Sequence, residues 1–263
     1  VDTCGTGGDG SNTFNISTAS AFVASGAGVS VAKHGNKSVS SKSGSADVLS
    51  ALGVNINLQP KDVEKCIEET GIGFMFAPLF HPAMKYVMNA RKQLGIRTIF
   101  NILGPMTNPA NAKSQLIGVY SPMLISEIAG ALKNLGSKHV MVVNGNGLDE
   151  ISLSGKTKVC ELKSGKIEVY DISPEDYGFE LQPLSKIIGG TAEDNAKIII
   201  DVLKGEKSPK RDIVLLNAGA AIYTSGKAAN LKEGIEAAKQ SIDSGNAMKK
   251  LEALKKFTNN VPS

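Results

Sequence analysis

The sequence predicts an α/β protein, with a large domain built on a mostly parallel central sheet flanked by helices and an incomplete small helical domain. Short β-branched runs alternate with amphipathic runs of helix length, which is typical of strands joined by crossover helices. The alternation is broken between residues 81 and 109, where two helices follow each other without a strand. We therefore assign residues 1–80 and 110–263 to the large domain, and residues 81–109 to a remnant of the small helical domain and its hinge.

The first eighty residues predict a series of strands and helices after a glycine-rich turn at residues 4–10. The apolar residues Ile16, Ala19, Phe22 and Val23 recur with helical spacing directly after this turn. Because the turn stands almost at the start of the chain, we expect the strand and helices that brace it to be partly absent. Further strands are predicted over 29–32, 54–57 and 72–77, and further helices over 46–52 and 60–70.

The middle of the chain predicts the helical interruption and then a return to strands. Helices are expected over 82–94 and 98–105, and the second should end at Gly104-Pro105 because proline disrupts a helix. Beyond them, strands are predicted over 116–120 and 139–144, with a helix over 124–135 between them.

The last third predicts a hairpin followed only by helices. Two β runs around Ser164-Gly165, within 157–169, indicate an antiparallel hairpin. Thr191 and Asp194 resemble a capping box ahead of a helix over 198–203. Two further helices are predicted over 213–223 and 235–242.

The amino-acid composition argues against several classes of binding partner. The 263 residues carry a net charge of +4 from scattered lysines and arginines, with 5% aromatic residues and no Trp, which disfavours a nucleic-acid platform. No apolar run approaches the ~18 residues of a membrane span. Three cysteines without metal-ligand spacing indicate a reducing compartment. We expect a cytoplasmic protein that binds small molecules, with no nucleic-acid or membrane partner.

The glycine-rich turn is the strongest functional signal. Gly5, Gly7 and Gly8 allow the backbone to turn tightly and to bring several N–H groups near an anion. Ser17 or Thr18 is expected to cap the helix that follows, whose positive end would then lie beside the turn. This pattern indicates a phosphate site, although a plain surface turn between a strand and a helix has the same local signature.

Two more polar segments follow at predicted strand and loop positions. Lys33-His34-Gly35-Asn36 ends a predicted strand, where open α/β sheets bind their ligands. Residues 38–47 form a hydroxyl-rich loop that offers a second anion contact. Lys33 could neutralise a phosphate there, and Asn36 could fix a polar substrate group.

Acidic and basic residues complete the candidate set. Asp149 and Glu150 follow a predicted strand, and paired carboxylates suit Mg²⁺ when substrate phosphates supply the remaining oxygens. Arg91 lies near His81 and Tyr86 in the sequence and could grip a carboxylate with two hydrogen bonds. Taken singly, each of these residues also fits a solvated surface position.

In this order, the blocks closely resemble the anthranilate phosphoribosyltransferases, a family of the tryptophan pathway. The matching segments are residues 5–9 with 15–18, 33–36 through 45–47, 81–84, 95–109 and 148–150, with weaker likeness at 217–221. The resemblance implies a fold of one large α/β domain joined to a small helical domain. It also implies transfer of the phosphoribosyl group of 5-phosphoribosyl 1-diphosphate to the amine of anthranilate, with release of pyrophosphate.

The resemblance further implies which residues act. Lys33, Arg91 and Asn36 would be the catalytic residues. The phosphoribosyl diphosphate would contact Gly5, Gly7, Gly8, Asp9, Asn15, Ser17, Thr18, Lys33 and Ser45. Anthranilate would contact Gly5, His34, Asn36, His81, Tyr86, Arg91 and Pro105. Mg²⁺ would be shared by Ser17, Asp149 and Glu150.

Two departures from the family pattern accompany the likeness. Lys37 stands where the family commonly has Arg, which keeps the charge and loses the planar fork. The family's N-terminal helices are expected ahead of Val1, and the resemblance implies a homodimer if those helices are present.

Two other functions stay open from the sequence. A pyrimidine nucleoside phosphorylase-like enzyme shares the architecture and would use phosphate as the acceptor, although the 34–36 and 104–105 blocks argue against it. A non-catalytic nucleic-acid-binding relative would carry a concentrated basic face, which the scattered charge does not supply.

Overall fold

The computed structural model describes residues 1–38, 42–87, 93 and 98–261. The strands are β1 Asp2–Gly5, β2 Val31–Gly35, β3 Ile72–Phe76, β4 Ser114–Gly118, β5 His139–Asn144, β6 Thr157–Lys163 and β7 Lys166–Ile172. The helices are α1 Ile16–Gly26, α2 Ser45–Ala51, α3 Pro60–Thr70, α4 Ala77–Phe80, α5 Phe100–Met106, α6 Ile125–Asn134, α7 Ala192–Leu203, α8 Pro209–Thr224, α9 Leu231–Asp243 and α10 Asn246–Asn260. Short 3-10 turns lie at Pro82–Met84, Pro122–Leu124, Pro174–Tyr177 and Leu184–Ile187.

The central sheet is mixed. Its five strands have the order β1-β4-β5-β6-β7, in which the first three strands are parallel and the hairpin strands β6 and β7 pair antiparallel. Strands β2 and β3 form a separate parallel pair, and the Ala32 N–H donates to the Val1 carbonyl beside β1. The α/β class and the hairpin are confirmed. Ser164 and Gly165 turn the hairpin with positive φ of 50° and 79°.

The strand predicted over 54–57 is wrong. Val54, Ile56 and Leu58 are buried in alternation, but in the described structure this segment is extended without a ladder partner. The Asn55 backbone N–H instead donates to Oγ1 of Thr258 on α10, and the Asn55 side chain donates to the Thr258 carbonyl. Period-two burial therefore arises here from packing against a helix, which the pattern alone does not distinguish from a sheet.

The region of the helical interruption differs in detail. Helix α4, Ala77–Phe80, was not predicted. The helix expected over 82–94 begins as a 3-10 turn at Pro82–Met84, and its residues 88–92 and 94 lie outside the described residues. Helix α5 continues through Gly104-Pro105 to Met106, so the predicted stop at Gly104-Pro105 is wrong. Thr107 ends this helix, because its N–H donates to the Gly104 carbonyl and its hydroxyl donates to the Leu103 carbonyl.

The C-terminal helices form the main support behind the sheet. The predicted capping box is confirmed at the start of α7, where the Asp194 N–H donates to the Thr191 hydroxyl and the Thr191 N–H to the Asp194 carboxylate. Helices α8 and α9 touch at a glycine pair, since a Cβ on Gly234 would overlap the Gly219 carbonyl. Helix α1 is almost wholly buried among these helices, so the first site element rests on the core. No helix in the described part of the chain is long and apolar enough to cross a membrane.

Candidate active site

The glycine loop, residues 5–10, connects β1 to the segment before α1. Gly7, Gly8 and Gly10 have φ of 66°, 76° and 74°, values that residues with a side chain rarely adopt. The Gly7 N–H donates to Oδ2 of Asp149 at 2.7 Å, and a Cβ on Gly5 would overlap the same carboxylate. The loop therefore lies directly against the turn that carries the acidic pair.

The bracing of this loop is more complete than we expected. Strand β1 precedes it and pairs with β4, and residues 187–189 run beside residues 12–14. Helix α1 begins at Ile16, so Ser17 and Thr18 lie in its first turn and the expectation that either caps the helix is wrong. The Thr18 hydroxyl is buried without a hydrogen-bond partner among the described residues.

The acidic turn, residues 145–150, follows β5. The Gly147 N–H donates to Oδ1 of Asn144, whose amide donates to the Val119 carbonyl, and Gly145 and Leu148 form an isolated bridge. Asp149 passes so close to β4 that a Cβ on Gly118 would overlap the Asp149 backbone carbonyl. This packing fixes where both carboxylates emerge.

The electrostatics of the turn favour a cation. Burial, and then the charge of Asp9, raise the pKa of Asp149 to about 7, while the Gly7 N–H opposes the rise. Burial and Asp149 likewise raise the pKa of Glu150 well above its usual value, and Lys33 opposes this. Asp9 is thus part of the acidic group: its Oδ2 accepts the Asp149 N–H at 3.3 Å. A positive ion beside these carboxylates would stabilise their charged forms.

The donor set fits a magnesium ion that is shared with substrate. Asp149 and Glu150 offer carboxylate oxygens, and the backbone N–H of Ser17 at the start of α1 favours the charged form of Glu150 by lowering its pKa. Within the described residues, no three acidic, His or Cys side chains converge closely enough to hold a metal by themselves. Mg²⁺ typically completes its octahedron with waters and substrate phosphates, so a partial protein site is what this metal requires.

Lys33 lies behind the glycine loop. Its Nζ donates to the Thr3 carbonyl at 2.5 Å and to Oγ of Ser17 at 3.2 Å, and the residue is 3% exposed. The Lys33 charge also acts on Glu150, where it opposes the rise in pKa that burial and Asp149 cause.

The hydroxyl-rich loop meets the end of β2 as predicted. The Asn36 carbonyl accepts the Ala46 N–H and the Ser45 hydroxyl, and a Cβ on Gly35 would overlap Ser45. The Asn15 amide donates to the Ser43 carbonyl at 3.2 Å. Residues 15, 36 and 45 are therefore brought into one neighbourhood, while residues 39–41 lie outside the described residues.

A second group of predicted residues gathers beside α5. The rings of His34 and His81 meet edge to face with centroids 5.0 Å apart, and Nδ1 of His34 lies 3.3 Å from the Gly104 carbonyl. Because a carbonyl only accepts, this Nδ1 carries the hydrogen. The Nε2 atoms of both histidines are buried without a partner among the described residues, and burial lowers the pKa of both rings.

The other residues that were predicted to contact anthranilate differ in their burial. Pro105 is buried beside this histidine pair, whereas the Tyr86 side chain is 78% exposed. Asn36 is exposed at the end of β2, and its Oδ1 accepts the Lys37 N–H. Arg91 lies outside the described residues.

Known proteins are similar to this chain along most of its sequence. A family model described as a glycosyl transferase family, a/b domain, matches residues 1–248. The anthranilate phosphoribosyltransferase of Petrotoga mobilis is 58% identical over 260 residues, which is 98% of this chain and 76% of the relative. That of Acetivibrio thermocellus is 56% identical over 264 residues, covering 100% of this chain and 76% of the relative. The chain belongs to the anthranilate phosphoribosyltransferase family.

Solved structures of this family share the fold. The Thermus thermophilus enzyme superposes with a TM-score of 0.94 at 47% identity, covering 98% of this chain and 77% of that one. The Saccharomyces cerevisiae anthranilate phosphoribosyltransferase in complex with PRPP and Mg gives a TM-score of 0.91 at 37% identity, covering 99% and 74% respectively. The chain thus spans about three quarters of the length of these family members.

Sequence reasoning missed residues that support the site from inside. Asp2 is fully buried. One of its carboxylate oxygens accepts a hydrogen bond from the His34 backbone N–H at 3.1 Å, and the other accepts one from Nδ2 of Asn108 at 2.7 Å. Asn108 also donates to the Ala32 carbonyl, so the segment that follows α5 is linked to both β1 and β2. An acidic residue at a core position of a strand was the available signal, but its partners are known only once the strands are placed side by side.

Proposed function

We propose that this chain transfers the 5-phosphoribosyl group from 5-phosphoribosyl 1-diphosphate to the amine of anthranilate, a step of tryptophan biosynthesis that releases pyrophosphate. The observation that carries the proposal is the contact between the glycine loop and the acidic turn, with the Gly7 N–H 2.7 Å from Asp149. This contact brings backbone donors for phosphate oxygens together with carboxylates for a cation. A diphosphate accompanied by Mg²⁺ satisfies both.

The diphosphate binds along the glycine loop and the hydroxyl-rich loop. Backbone N–H groups of the glycine loop at Gly5 and Gly8 would bind its oxygens. The Gly7 N–H and the Ser45 hydroxyl would join them by exchanging their present acceptors, Asp149 and the Asn36 carbonyl, for the diphosphate. Asp149, Glu150 and the Ser17 hydroxyl would hold Mg²⁺, which when bound neutralises charge on the diphosphate. Lys33 sustains the ionised form of Glu150 from behind.

The reaction is a displacement at the anomeric carbon. The amine lone pair of anthranilate forms the new C–N bond, and the electrons of the breaking C–O bond leave with pyrophosphate. The nitrogen, positively charged once the bond has formed, then releases one of its two protons to the pyrophosphate or to water. Positive charge grows on the ribose and negative charge on the leaving group, so preorganised donors in the glycine loop lower the barrier. An aromatic amine is neutral at pH 7 and begins its attack without a base.

Anthranilate binds beside α5. His34, His81 and Pro105 form a partly buried wall there, and both histidines are neutral near pH 7 because burial lowers their pKa. Asn36 at the mouth and Arg91 on the following segment orient the carboxylate and hold the amine toward the ribose. Tyr86 closes the acceptor side in the assembled enzyme.

We extend the proposal to the organisation of the enzyme. Residues 81–109 belong to a small helical domain through which two copies associate in the cytoplasm. This is supported by apolar side chains that are unusually exposed in and beside this segment, since Leu79, Tyr86 and Ile99 have exposed fractions of 38%, 78% and 63%.

The test is a direct assay of transfer. Anthranilate fluorescence is followed after addition of phosphoribosyl diphosphate, with and without Mg²⁺, and the product is verified by chromatography. We expect the signal to fall only when both phosphoribosyl diphosphate and Mg²⁺ are present. Phosphorolysis of thymidine or uridine, with no consumption of anthranilate, would contradict the proposal and favour a nucleoside phosphorylase.

A further inference from the structure

A segment distant in sequence supports the exit of the glycine loop. This bracing segment, residues 187–195, lies beside residues 12–15. Thr13 and Ile188 form an antiparallel bridge, the Phe14 N–H donates to the Ile187 carbonyl at 3.2 Å, and the Gly189 N–H donates to the Asn12 carbonyl at 2.9 Å. None of these contacts is suggested by the local sequence, which indicates only the start of a helix.

Asn195 connects the bracing segment to both anion loops. It is 2% exposed on the first turn of α7. Its Oδ1 accepts the Gly190 N–H at 2.8 Å, and its Nδ2 donates to Oδ1 of Asn15 at 2.9 Å. The Asn15 amide group then donates to the Ser43 carbonyl at 3.2 Å.

These bonds have a fixed direction. The Gly190 N–H can only donate, so it requires the oxygen of the Asn195 amide and turns the Asn195 NH₂ group toward Asn15. The Asn15 oxygen must then face Asn195, which leaves the Asn15 NH₂ group for the Ser43 carbonyl. The orientation of both amides is therefore fixed from both ends, by the Gly190 N–H in the bracing segment and by Ser43, whose carbonyl accepts from the Asn15 NH₂ group and whose hydroxyl donates to Oδ1 of Asn15.

The packing around this amide chain leaves little freedom. A Cβ on Gly189 would lie 2.6 Å from Oδ1 of Asn195 and 2.7 Å from the Phe14 backbone. Glycine at 189 thus permits the bracing segment to approach residues 12–15 closely enough for the bonds to form. A displacement of Asn195 would be transmitted to Asn15, because the two side chains share a buried hydrogen bond.

We propose that Asn195 is a positioning residue for the phosphoribosyl diphosphate site. It acts through Asn15 and sets the separation between the start of α1, which carries Ser17, and the Ser43–Ser45 part of the hydroxyl-rich loop. Asn195 touches neither substrate nor metal in this role. The inference rests on the proposed function, because it assigns the diphosphate to those two loops.

The test compares two substitutions at this position. Asn195→Asp keeps the volume and the acceptor for Gly190, but it loses the NH₂ donor and places a charge against Oδ1 of Asn15. We expect the KM for phosphoribosyl diphosphate to rise about tenfold or more, the equivalent of one lost buried hydrogen bond, with the KM for anthranilate nearly unchanged. Asn195→Ala should show the same selective change, and Asn195→Asp keeps the test valid if the alanine variant does not fold.

A remote asparagine supplies the control. Asn55 also anchors a loop through side-chain hydrogen bonding, to the Thr258 carbonyl on α10, and Asn55→Ala should lower stability without changing either KM. Direct titration of phosphoribosyl diphosphate with Mg²⁺ separates the two hypotheses. If the unmodified protein does not bind it, the proposed function fails. If the unmodified protein and Asn195→Asp bind it equally, the role of Asn195 is overturned.

Discussion

At the residue scale, the site depends on close approach as much as on charged groups. Gly5 and Gly118 leave room for Asp149 on two sides, one against its carboxylate and one against its backbone carbonyl. Neither contact involves a special backbone angle at these two positions. Space rather than conformational freedom is therefore the reason that a side chain is excluded there.

A pair of alanine substitutions tests this point. Gly118→Ala should displace the acidic turn, because the new methyl group meets a backbone atom that cannot rotate away, and turnover should fall at least about 10²-fold. Gly130 in α6 has no described atom within 4 Å of its added Cβ, so Gly130→Ala should raise the free energy of unfolding by about 0.5–1 kcal/mol. Initial rates and denaturant unfolding measure both effects. Normal turnover in Gly118→Ala would refute the packing argument.

The acidic turn also predicts a pH dependence of stability. The pKa of Asp149 is about 7 in the folded protein and near its ordinary value of 3.8 when unfolded, so the folded state binds more protons between these pH values. Its contribution to stability is present at low pH and is lost as the pH rises through 7. We expect Asp149→Asn to make this downward slope shallower than in the unmodified protein.

Denaturant unfolding of the two proteins across about pH 4 to about pH 7 measures this difference. His34, whose pKa is lowered, and Glu161, whose pKa is lowered to about 2, give slopes of the opposite sign, whereas Glu150, whose pKa is raised, gives a slope of the same sign. All three remain in the variant, so only the difference between the two proteins is interpreted. Parallel stability curves would show that Asp149 does not titrate in this window.

At the element scale, local sequence patterns predicted where strands and helices form, but not which parts of the chain pack against them. The strand over 139–144, the hairpin and the Thr191 capping box follow from alternation and turn chemistry, which are properties of neighbouring residues. The extended segment at 54–58 and the continuation of α5 through Pro105 depend on what packs against them. The same is true of the site. Its loops could be recognised from the sequence, whereas Asp2 and Asn195 form hydrogen bonds with His34 and Asn15, which lie 32 and 180 residues away.

The extended segment offers a test of stability that leaves the site untouched. Thr258 on α10 accepts the Asn55 N–H and is itself buried, so Thr258→Val leaves that N–H without an acceptor at nearly constant volume. We expect the free energy of unfolding to fall by about 1–3 kcal/mol. Both substrate KM values should stay constant, and a change in either would show that this side of the core is coupled to the site.

At the scale of the whole molecule, the sheet, α1 and the C-terminal helices converge on one cluster of loops. The glycine loop, the hydroxyl-rich loop and the acidic turn come from three separate parts of the chain, and α7 is joined through Asn195 and Asn15 to the hydroxyl-rich loop. These loops follow the carboxyl ends of β1, β2 and β5, the edge at which open α/β sheets bind ligands. The central claim is that these loops together form a site for a magnesium-bound diphosphate.

Calorimetric titration of phosphoribosyl diphosphate into this chain tests that claim most directly, because binding does not depend on the acceptor or on turnover. We predict saturable binding that requires Mg²⁺ and that weakens at least about tenfold in Asp149→Asn, which removes one metal-ligand charge and keeps the side-chain volume. Binding of equal strength without Mg²⁺, or binding unaffected by the substitution, would contradict the account.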